Sequence, residues 1–262
     1  MATFNTSARA YDASGWANAG KAWCDRVMTS SELPELPELP ELPGLAGLRV
    51  SYDAGTLDSG ELHDTPLEQF NRWFLDATDA GLPEVNAMVL ATASATGAPS
   101  ARTVLLKQAD PRGFVFFTNL ESRKGQELAA NPSASCVFPW FAMHRQVVVV
   151  GRVELIGREE VAEYFESRPR ESQIGAWASR QSTVIDDRRV LDDKFAELIA
   201  QYPEGERIPV PEFWGGWLIR PRSIEFWQGR ASRLHDRLVY ESRGLGSTLD
   251  DPAAWSVYRL SP

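Results

Sequence analysis

The sequence has little cysteine, no excess of positive charge and no long apolar run. Its 262 residues include only Cys24 and Cys136, too few and too far apart for a disulfide framework or a metal cluster. The formal net charge is -9, which argues against a general nucleic-acid or membrane-surface binder because such proteins carry a basic field. No apolar run approaches the roughly 18 residues of a membrane span, and the first residues lack the order of a signal peptide. These absences predict a cytoplasmic protein.

The first 47 residues differ in character from the rest of the chain. The tripeptide Glu-Leu-Pro occurs four times without interruption over residues 32–43. Proline fixes its own backbone angle and pushes the preceding residue out of the helical region, so the repeat is expected to be a polyproline II spacer. A ligand for a proline-recognising partner is the alternative. We therefore predict an N-terminal extension over 1–47, expected to be disordered, and one domain over 48–262.

Helical periodicity occurs in four segments, and alternation with a period of two dominates elsewhere. The helices are expected over 65–80, 122–130, 159–167 and 188–202, the first of them begun by a capping box of Thr65 and Glu68 with Pro66 at the first helical position. Strands are expected over 87–93, 101–107, 114–118, 133–138, 145–155, 213–219, 223–227, 237–241 and 255–260. The strand 145–155 is apolar on both faces and should be central. Many strands with short connections predict a mainly β, α+β fold: an antiparallel barrel with peripheral helices.

A first cluster of basic residues lies where the second helix begins. Ser122 is followed directly by Arg123 and Lys124, although cations at a helix N-terminus oppose the helix dipole. The arrangement suits a bound anion, to which free backbone N–H groups, a hydroxyl and two cations would converge. Arg102 and Lys107 are further candidates, although their odd spacing places them on opposite faces of a strand. Solvated surface cations are the alternative interpretation.

Two further segments combine basic and aromatic side chains. Tyr164 and Arg168 are four residues apart, so their side chains can reach one point, and Ser172 follows. Residues 227–237 hold three arginines, a histidine and a tryptophan, a composition that suits a flat anionic ligand but that also occurs in a solvated turn. The cluster at Ser122, Arg123 and Lys124 and the segment with Tyr164, Arg168 and Ser172 predict two anion sites.

Several segments resemble, in order, those of the pyridoxine (pyridoxamine) 5'-phosphate oxidase family. They are residues 102–107, 117–124, 145–146, 164–177, 181–182 and 227–237, and the ending 258–262 is also similar. The resemblance spans about 48–262. It implies an FMN-binding split barrel, with a six-stranded antiparallel barrel and peripheral helices, that forms a homodimer with FMN at the subunit interface.

The resemblance also implies roles for individual residues. FMN would be held by Arg102, Thr103, Val104, Leu105, Leu106, Lys107, Phe117, Thr118, Arg123, Lys124, Gln146, Gln181, Ser182, Trp227 and Arg237. Phe117 stands where many members have tyrosine. The substrate phosphate would be bound by Lys107, Tyr164, Arg168 and Ser172, its ring by Arg233, Leu234 and His235, and the closing N-terminal pair would be Arg49 and Tyr52. The catalytic residues would be Arg233, which covers the ring, and His235, a candidate proton acceptor.

The implied reaction is the oxidation of pyridoxine 5'-phosphate or pyridoxamine 5'-phosphate by dioxygen. Pyridoxal 5'-phosphate and hydrogen peroxide would form, with ammonia from the amine. Two alternatives remain: a related FMN oxidase of the phenazine type, and a non-catalytic protein that binds flavin or pyridoxal phosphate. No metal, nucleic acid or membrane partner is expected.

Overall fold

A computed structural model describes residues 44–48, 51–52, 55–244 and 246–262. The predictions for the Glu-Leu-Pro repeat and for Arg49 lie outside these residues. Leu45–Gly47 forms one turn of 3-10 helix, and the remaining elements belong to a compact unit that extends from Val50 to Pro262. No helix in the described ranges is long and apolar enough to cross a membrane.

Five α-helices lie in the described part of this unit. They are α1 (Pro66–Asp79), α2 (Arg123–Ala130), α3 (Arg158–Ser167), α4 (Arg170–Ala178) and α5 (Arg189–Gln201). Helix α1 begins as predicted: the Thr65 hydroxyl accepts the Glu68 N–H at 3.2 Å. The Glu68 carboxylate then accepts the Thr65 hydroxyl proton at 3.0 Å. The sequence did not predict α4, which begins directly after Pro169.

Nine strands form one sheet. They are β1 (Ala87–Ala93), β2 (Pro99–Leu105), β3 (Gln108–Asp110), β4 (Gly113–Asn119), β5 (Ser133–Trp140), β6 (Arg145–Leu155), β7 (Trp214–Gln228), β8 (Asp236–Ser242) and β9 (Trp255–Arg259). The order is β2-β1-β5-β6-β7-β4-β3, and β8 pairs with β7 and β9. Every pairing is antiparallel, as predicted.

The centre of the sheet is the pair β6 and β7. Strand β6 lies between β5 and β7, and Val147, Val149 and Val153 are buried, which confirms its predicted central place. The predicted strands 213–219 and 223–227 are one long strand, β7. Its register against β6 shifts at Gly151, where a side chain would approach the Arg220 carbonyl oxygen to 2.2 Å. Only glycine permits this close approach, and the shift bends the sheet.

The core lies under the sheet and is rich in aromatic residues. Phe70 of α1 packs edge-on against Phe114 and Phe138, with ring centroids 4.9 Å and 5.1 Å apart. A smaller cluster around Phe165 and Ile174 packs α3, α4 and α5 together.

Candidate functional site

A buried lysine without a counterion lies at the start of α2. Lys124 is 7% exposed, and its Nζ donates to Thr118 Oγ1 at 3.1 Å and to Gln181 Oε1 at 2.8 Å. Both partners are neutral, and no ion pair with Lys124 occurs among the described residues. Burial, with repulsion from Arg102, lowers the pKa of Lys124 to about 8. A buried cation whose partners are neutral is a candidate anion site.

Arg102 approaches the same place from β2. Its Nη1 donates to Thr92 Oγ1 at 2.6 Å and to the Leu90 carbonyl oxygen at 3.3 Å, and its Nη2 lies 3.5 Å from Glu127 Oε2. Glu127 also binds Arg123 at 2.9 Å. Burial acts to raise the pKa of Glu127, but donors from Ser100, Thr92 and Arg123 hold it at about 2. Glu127 thus remains ionised and fixes both arginines beside Lys124.

Lys107 and Tyr164 line a cavity of about 480 Å³. The Lys107 ammonium lies 5.9 Å from the centre of the Tyr164 ring. The Phe117 ring stacks on the Tyr164 ring, with the two ring centroids 3.9 Å apart and an interplanar angle of 18°. Phe117 therefore fixes the orientation of the tyrosine. Strand β2 ends at Leu105, so Lys107 lies beyond it. The predicted placement of Arg102 and Lys107 on opposite faces of one strand is therefore wrong.

Arg168 and Ser172 line another cavity, of about 280 Å³, together with Gln181. Helix α3 ends at Ser167 and Arg168 has extended backbone angles, so the helical spacing expected between Tyr164 and Arg168 does not hold. Burial lowers the pKa of Arg168, and Tyr164 lies near enough to oppose that shift. The guanidinium stacks over Trp214 at 4.3 Å, and its Nη1 has no hydrogen-bond partner in the described ranges.

A cluster of four rings lies at the C-terminal end of β7 and consists of Tyr52, His144, Trp227 and His235. The rings of Trp227 and His235 have centroids 4.6 Å apart, and Tyr52 lies 5.7 Å from His235 and 4.4 Å from His144. Gly229 lies between two of them, because a Cβ there would be 3.0 Å from both His144 and Tyr52. The rings of Tyr52, His144 and Trp227 border a cavity of about 510 Å³.

Three predicted cofactor residues form a row beside these rings. Gln146 pairs with Trp227, and Trp227 pairs with Arg237 across β6, β7 and β8. Directly paired residues project from the same face of a sheet. Their neighbours Val147, Phe226 and Leu238 are buried in the core, so the row faces away from the core.

The loop at residues 229–235, here called the β7–β8 loop, carries the predicted catalytic residues. Ser232 and Arg233 have φ values of 57° and 61°, a conformation that costs a non-glycine residue about 1 to 3 kcal/mol. The backbone N–H of Arg230 donates to His235 Nδ1 at 3.1 Å. Neutral His235 therefore carries its proton on Nε2.

The structure divides the predicted residues into two groups within one chain. Phe117 pairs with Gly216 near the start of β7, whereas Trp227 is eleven residues further along, up to about 36 Å of strand. The cavities that hold Lys107 and Arg168 share no lining residue with the cavity beside Trp227. One chain thus carries two separate groups of predicted residues, here named the phosphate half-site, near the start of β7, and the ring half-site, near its end.

The other predicted residues occupy supporting positions. Leu106 is buried and Val104 packs on the core, so their side chains serve packing, while Thr103 pairs with Val89 on the opposite face; Leu105 ends β2. Leu234 is 70% exposed. Ser182 lines a cavity of about 810 Å³ between α4 and α5, whose lining residues include neither Lys124 nor Arg168.

Sequence reasoning missed three residues of the site. Glu127 had a detectable signal, since it lies four residues after Arg123 on one helix. His144 had none, because its contact with Tyr52 joins distant segments. Asp236 lies within the segment 227–237, but its contacts with Leu57 and Arg259 join segments that are distant in the sequence.

Two family models match the chain. One, described as pyridoxamine 5'-phosphate oxidase, matches residues 74–202, and the other, described as the pyridoxine 5'-phosphate oxidase C-terminal dimerisation region, matches 214–262. Among solved structures, PhzG from Burkholderia lata 383 in complex with tetrahydrophenazine-1-carboxylic acid is 30% identical, with a TM-score of 0.72 over 81% of this chain and 100% of that one. A related FMN-binding protein from Nostoc punctiforme shares the fold, with a TM-score of 0.58 at 16% identity over 75% of this chain and 98% of that one.

Curated relatives agree with these matches. A pyridoxine/pyridoxamine 5'-phosphate oxidase of Frankia casuarinae is 60% identical over 74% of this chain and 73% of its own length. Another, from Frankia alni, is 56% identical over 82% of this chain and 87% of its own length. The fold is the split barrel that the sequence predicted, and the chain belongs to the pyridoxine/pyridoxamine 5'-phosphate oxidase family.

Proposed function

We propose that this protein oxidises pyridoxine 5'-phosphate and pyridoxamine 5'-phosphate to pyridoxal 5'-phosphate with FMN and dioxygen. The alcohol would give pyridoxal 5'-phosphate and hydrogen peroxide. The amine, with one water molecule, would give the same two products and ammonia. The relatives named above support the substrates, and the two half-sites support a reaction between two flat phosphate esters.

The donors around Lys124 fit the phosphate of FMN. The ammonium is buried against neutral partners, Arg102 stands beside it, and the first N–H groups of α2 have no helical acceptor. A phosphate dianion would supply the missing negative charge. Thr118 and Gln181 would keep the ammonium directed toward it, and Glu127 would hold Arg102 and Arg123 in place.

The flavin ring would lie between two copies of the chain. The row of Gln146, Trp227 and Arg237 faces away from its own core and lies at the other end of β7 from Lys124. A second copy would bring its row to the phosphate half-site of the first. The match to a dimerisation region over residues 214–262, which includes β7, β8 and β9, supports this homodimer.

The substrate phosphate would be bound by Lys107, Tyr164, Arg168 and Ser172. Lys107 and Tyr164 border one cavity, and Arg168 and Ser172 border another. The Arg168 guanidinium also has a buried N–H without an acceptor among the described residues. Tyr52, Arg233, Leu234 and His235 of the partner copy would cover the pyridine ring. The part of the chain that the structure describes does not include Arg49, whose role stays a prediction.

When bound, FMN supplies the electron acceptor for the substrate and the reaction with dioxygen. The protein would hold the rings face to face and exclude water. The hydrogen bond from Arg230 N–H to His235 Nδ1 leaves the proton of a neutral imidazole on Nε2, so His235 in that form would donate a hydrogen bond to the substrate rather than accept its proton. Arg233 would place positive charge over the ring face.

The observation that carries this proposal is the presence of two cationic donor sets, around Lys124 and around Arg168, on one chain of this family. Purified protein should show a yellow flavin spectrum. With pyridoxine 5'-phosphate it should consume dioxygen and release peroxide in equal amounts. Protein that binds no FMN, or binds it without peroxide formation, would contradict the proposal; the second result would favour a non-catalytic binding protein.

A phenazine-type oxidase is the second candidate, favoured by the fold match to PhzG. Such an enzyme acts on a substrate without a phosphate group, so the donors at Arg168 and Ser172 would have no role in it. Parallel assays with pyridoxine 5'-phosphate and with a reduced phenazine carboxylic acid separate the two. Turnover of the phenazine alone would replace the proposal.

A further inference from the structure

The β7–β8 loop is held in a strained conformation from its ends. Ser232 and Arg233, the two residues with positive φ, are both exposed, so burial of their own side chains does not stabilise that conformation. The stabilising contacts must lie where the loop begins and ends.

A single carboxylate closes the loop. Asp236 Oδ2 accepts a hydrogen bond from Arg230 Nη1 at 2.9 Å. The two residues are six positions apart, and the strained Ser232 and Arg233 lie between them. The backbone N–H of Arg230 donates a hydrogen bond to Nδ1 of His235, the residue directly before Asp236. Arg230 therefore orients the histidine, and Asp236 orients Arg230.

The same carboxylate fastens two other segments. Asp236 Oδ2 accepts the Leu57 N–H at 3.1 Å, and Oδ1 accepts from Arg259 Nη1 at 2.6 Å. Arg259 Nη2 in turn donates to the Leu57 carbonyl oxygen at 3.1 Å. Leu57 lies five residues after Tyr52, whose ring contacts His235. Asp236 thus joins the loop, the C-terminal strand and the segment that bears Tyr52.

Asp236 is suited to this place because it remains charged. Its side chain is 14% exposed. Burial acts to raise its pKa, but the donors from Leu57, Arg230 and Arg259 outweigh burial and lower it. An ionised, largely buried carboxylate with three donors holds each of them more firmly than a neutral group would.

We propose that Asp236 is a positioning residue that sets Arg233 and His235 against Tyr52 without touching the substrate. The inference rests on the proposed function, in which these three side chains cover the pyridine ring. It assigns to Asp236 the shape of the ring site, and no part in binding FMN.

The test is Asp236→Asn, measured in the FMN-loaded dimer. We expect KM for pyridoxine 5'-phosphate to rise about five- to tenfold while the Kd for FMN changes less than twofold. Glu154→Gln serves as the control: it removes an ion pair to Arg220 of 2.7 Å and should change neither constant. An unchanged KM, or equal losses of substrate and FMN binding, would overturn the assignment.

A double-mutant cycle with His235→Asn separates positioning from general stability. If Asp236 acts through the loop, the rise in KM of the double variant should be smaller than the product of the two single rises. Effects that multiply would overturn the proposal. Should Asp236→Asn fail to fold by circular dichroism, Arg230→Gln removes one of the three contacts and should give the same cycle with a smaller effect.

Failure of the proposed function would look different. If the wild-type protein does not oxidise pyridoxine 5'-phosphate, the function is wrong, and the role of Asp236 is then measured as binding of pyridoxal 5'-phosphate by its absorbance. Weaker binding by Asp236→Asn supports the positioning role, and unchanged binding contradicts it.

Discussion

Lys124 Nζ donates a 2.8 Å hydrogen bond to Gln181 Oε1, across 57 positions of the sequence. This contact joins the start of α2 to the segment after α4, and it gives a buried ammonium a neutral partner. The charge of Lys124 is therefore available for an anionic ligand, and the contact between α2 and Gln181 keeps it in position.

Replacing Lys124 with methionine should weaken FMN binding. One charge-assisted contact to phosphate contributes about 1.5 to 3 kcal/mol, so the Kd for FMN should rise roughly 10- to 150-fold. Fluorescence titration of the apoprotein measures it. Lys194→Met, at an exposed lysine paired with Glu197, should leave the Kd unchanged; similar losses in both variants would argue against a specific site.

FMN affinity should depend on pH through the same lysine. Because the pKa of Lys124 is lowered to about 8 in the folded protein, the ammonium loses its proton above pH 8, and FMN binding should weaken there by up to about tenfold per pH unit. Below pH 8 this contribution should be constant. A Lys124→Met protein should lack the decline above pH 8.

The apoprotein should respond to pH in the opposite sense. Between pH 8 and about 10.5, the unfolded chain keeps the proton of Lys124 that the folded chain has lost, so unfolding takes up a proton and stability rises with pH. The comparison is of urea unfolding of wild-type and Lys124→Met apoprotein over this range. Parallel pH profiles would contradict the shifted pKa.

Arg168→Ala should affect the substrate more than the cofactor. Loss of a buried guanidinium contact to phosphate should raise KM for pyridoxine 5'-phosphate by roughly 10- to 150-fold, since the contact contributes about 1.5 to 3 kcal/mol. The Kd for FMN should stay within twofold. Arg207→Ala, at an exposed residue paired with Glu166, is the control, and equal losses of substrate and FMN binding would reject the assignment.

Mixed dimers should regain activity if each site uses both copies. A Lys124→Met chain and an Arg237→Ala chain should each be poorly active alone. A random mixture should recover up to about a quarter of wild-type activity, because half of the dimers are mixed and one site in each mixed dimer is intact. No recovery in dimers shown to exchange subunits would place the whole site within one chain.

Much of the secondary structure could be predicted from local patterns. The bounds of β1 and β6 agree with the alternation of apolar residues, and α1 begins at Thr65 because a capping residue and a proline fix its first turn. Helix α4 was not predicted, although Pro169 directly precedes it and proline suits the entrance to a helix. The sequence predicted two strands where the structure has the single strand β7, because only the pairing with β6 continues the strand through Pro221.

The sequence by itself determined the classes of residue at the site: cations beside hydroxyls, and aromatic rings beside histidine. These follow from side-chain chemistry, which needs no coordinates. Tertiary structure decided which of them meet. It set Lys124 against neutral partners, divided the predicted residues between the two ends of β7, and joined Asp236 to Leu57, Arg230 and Arg259. Contacts over such distances depend on strand register and sheet curvature, which arise only when the whole chain packs.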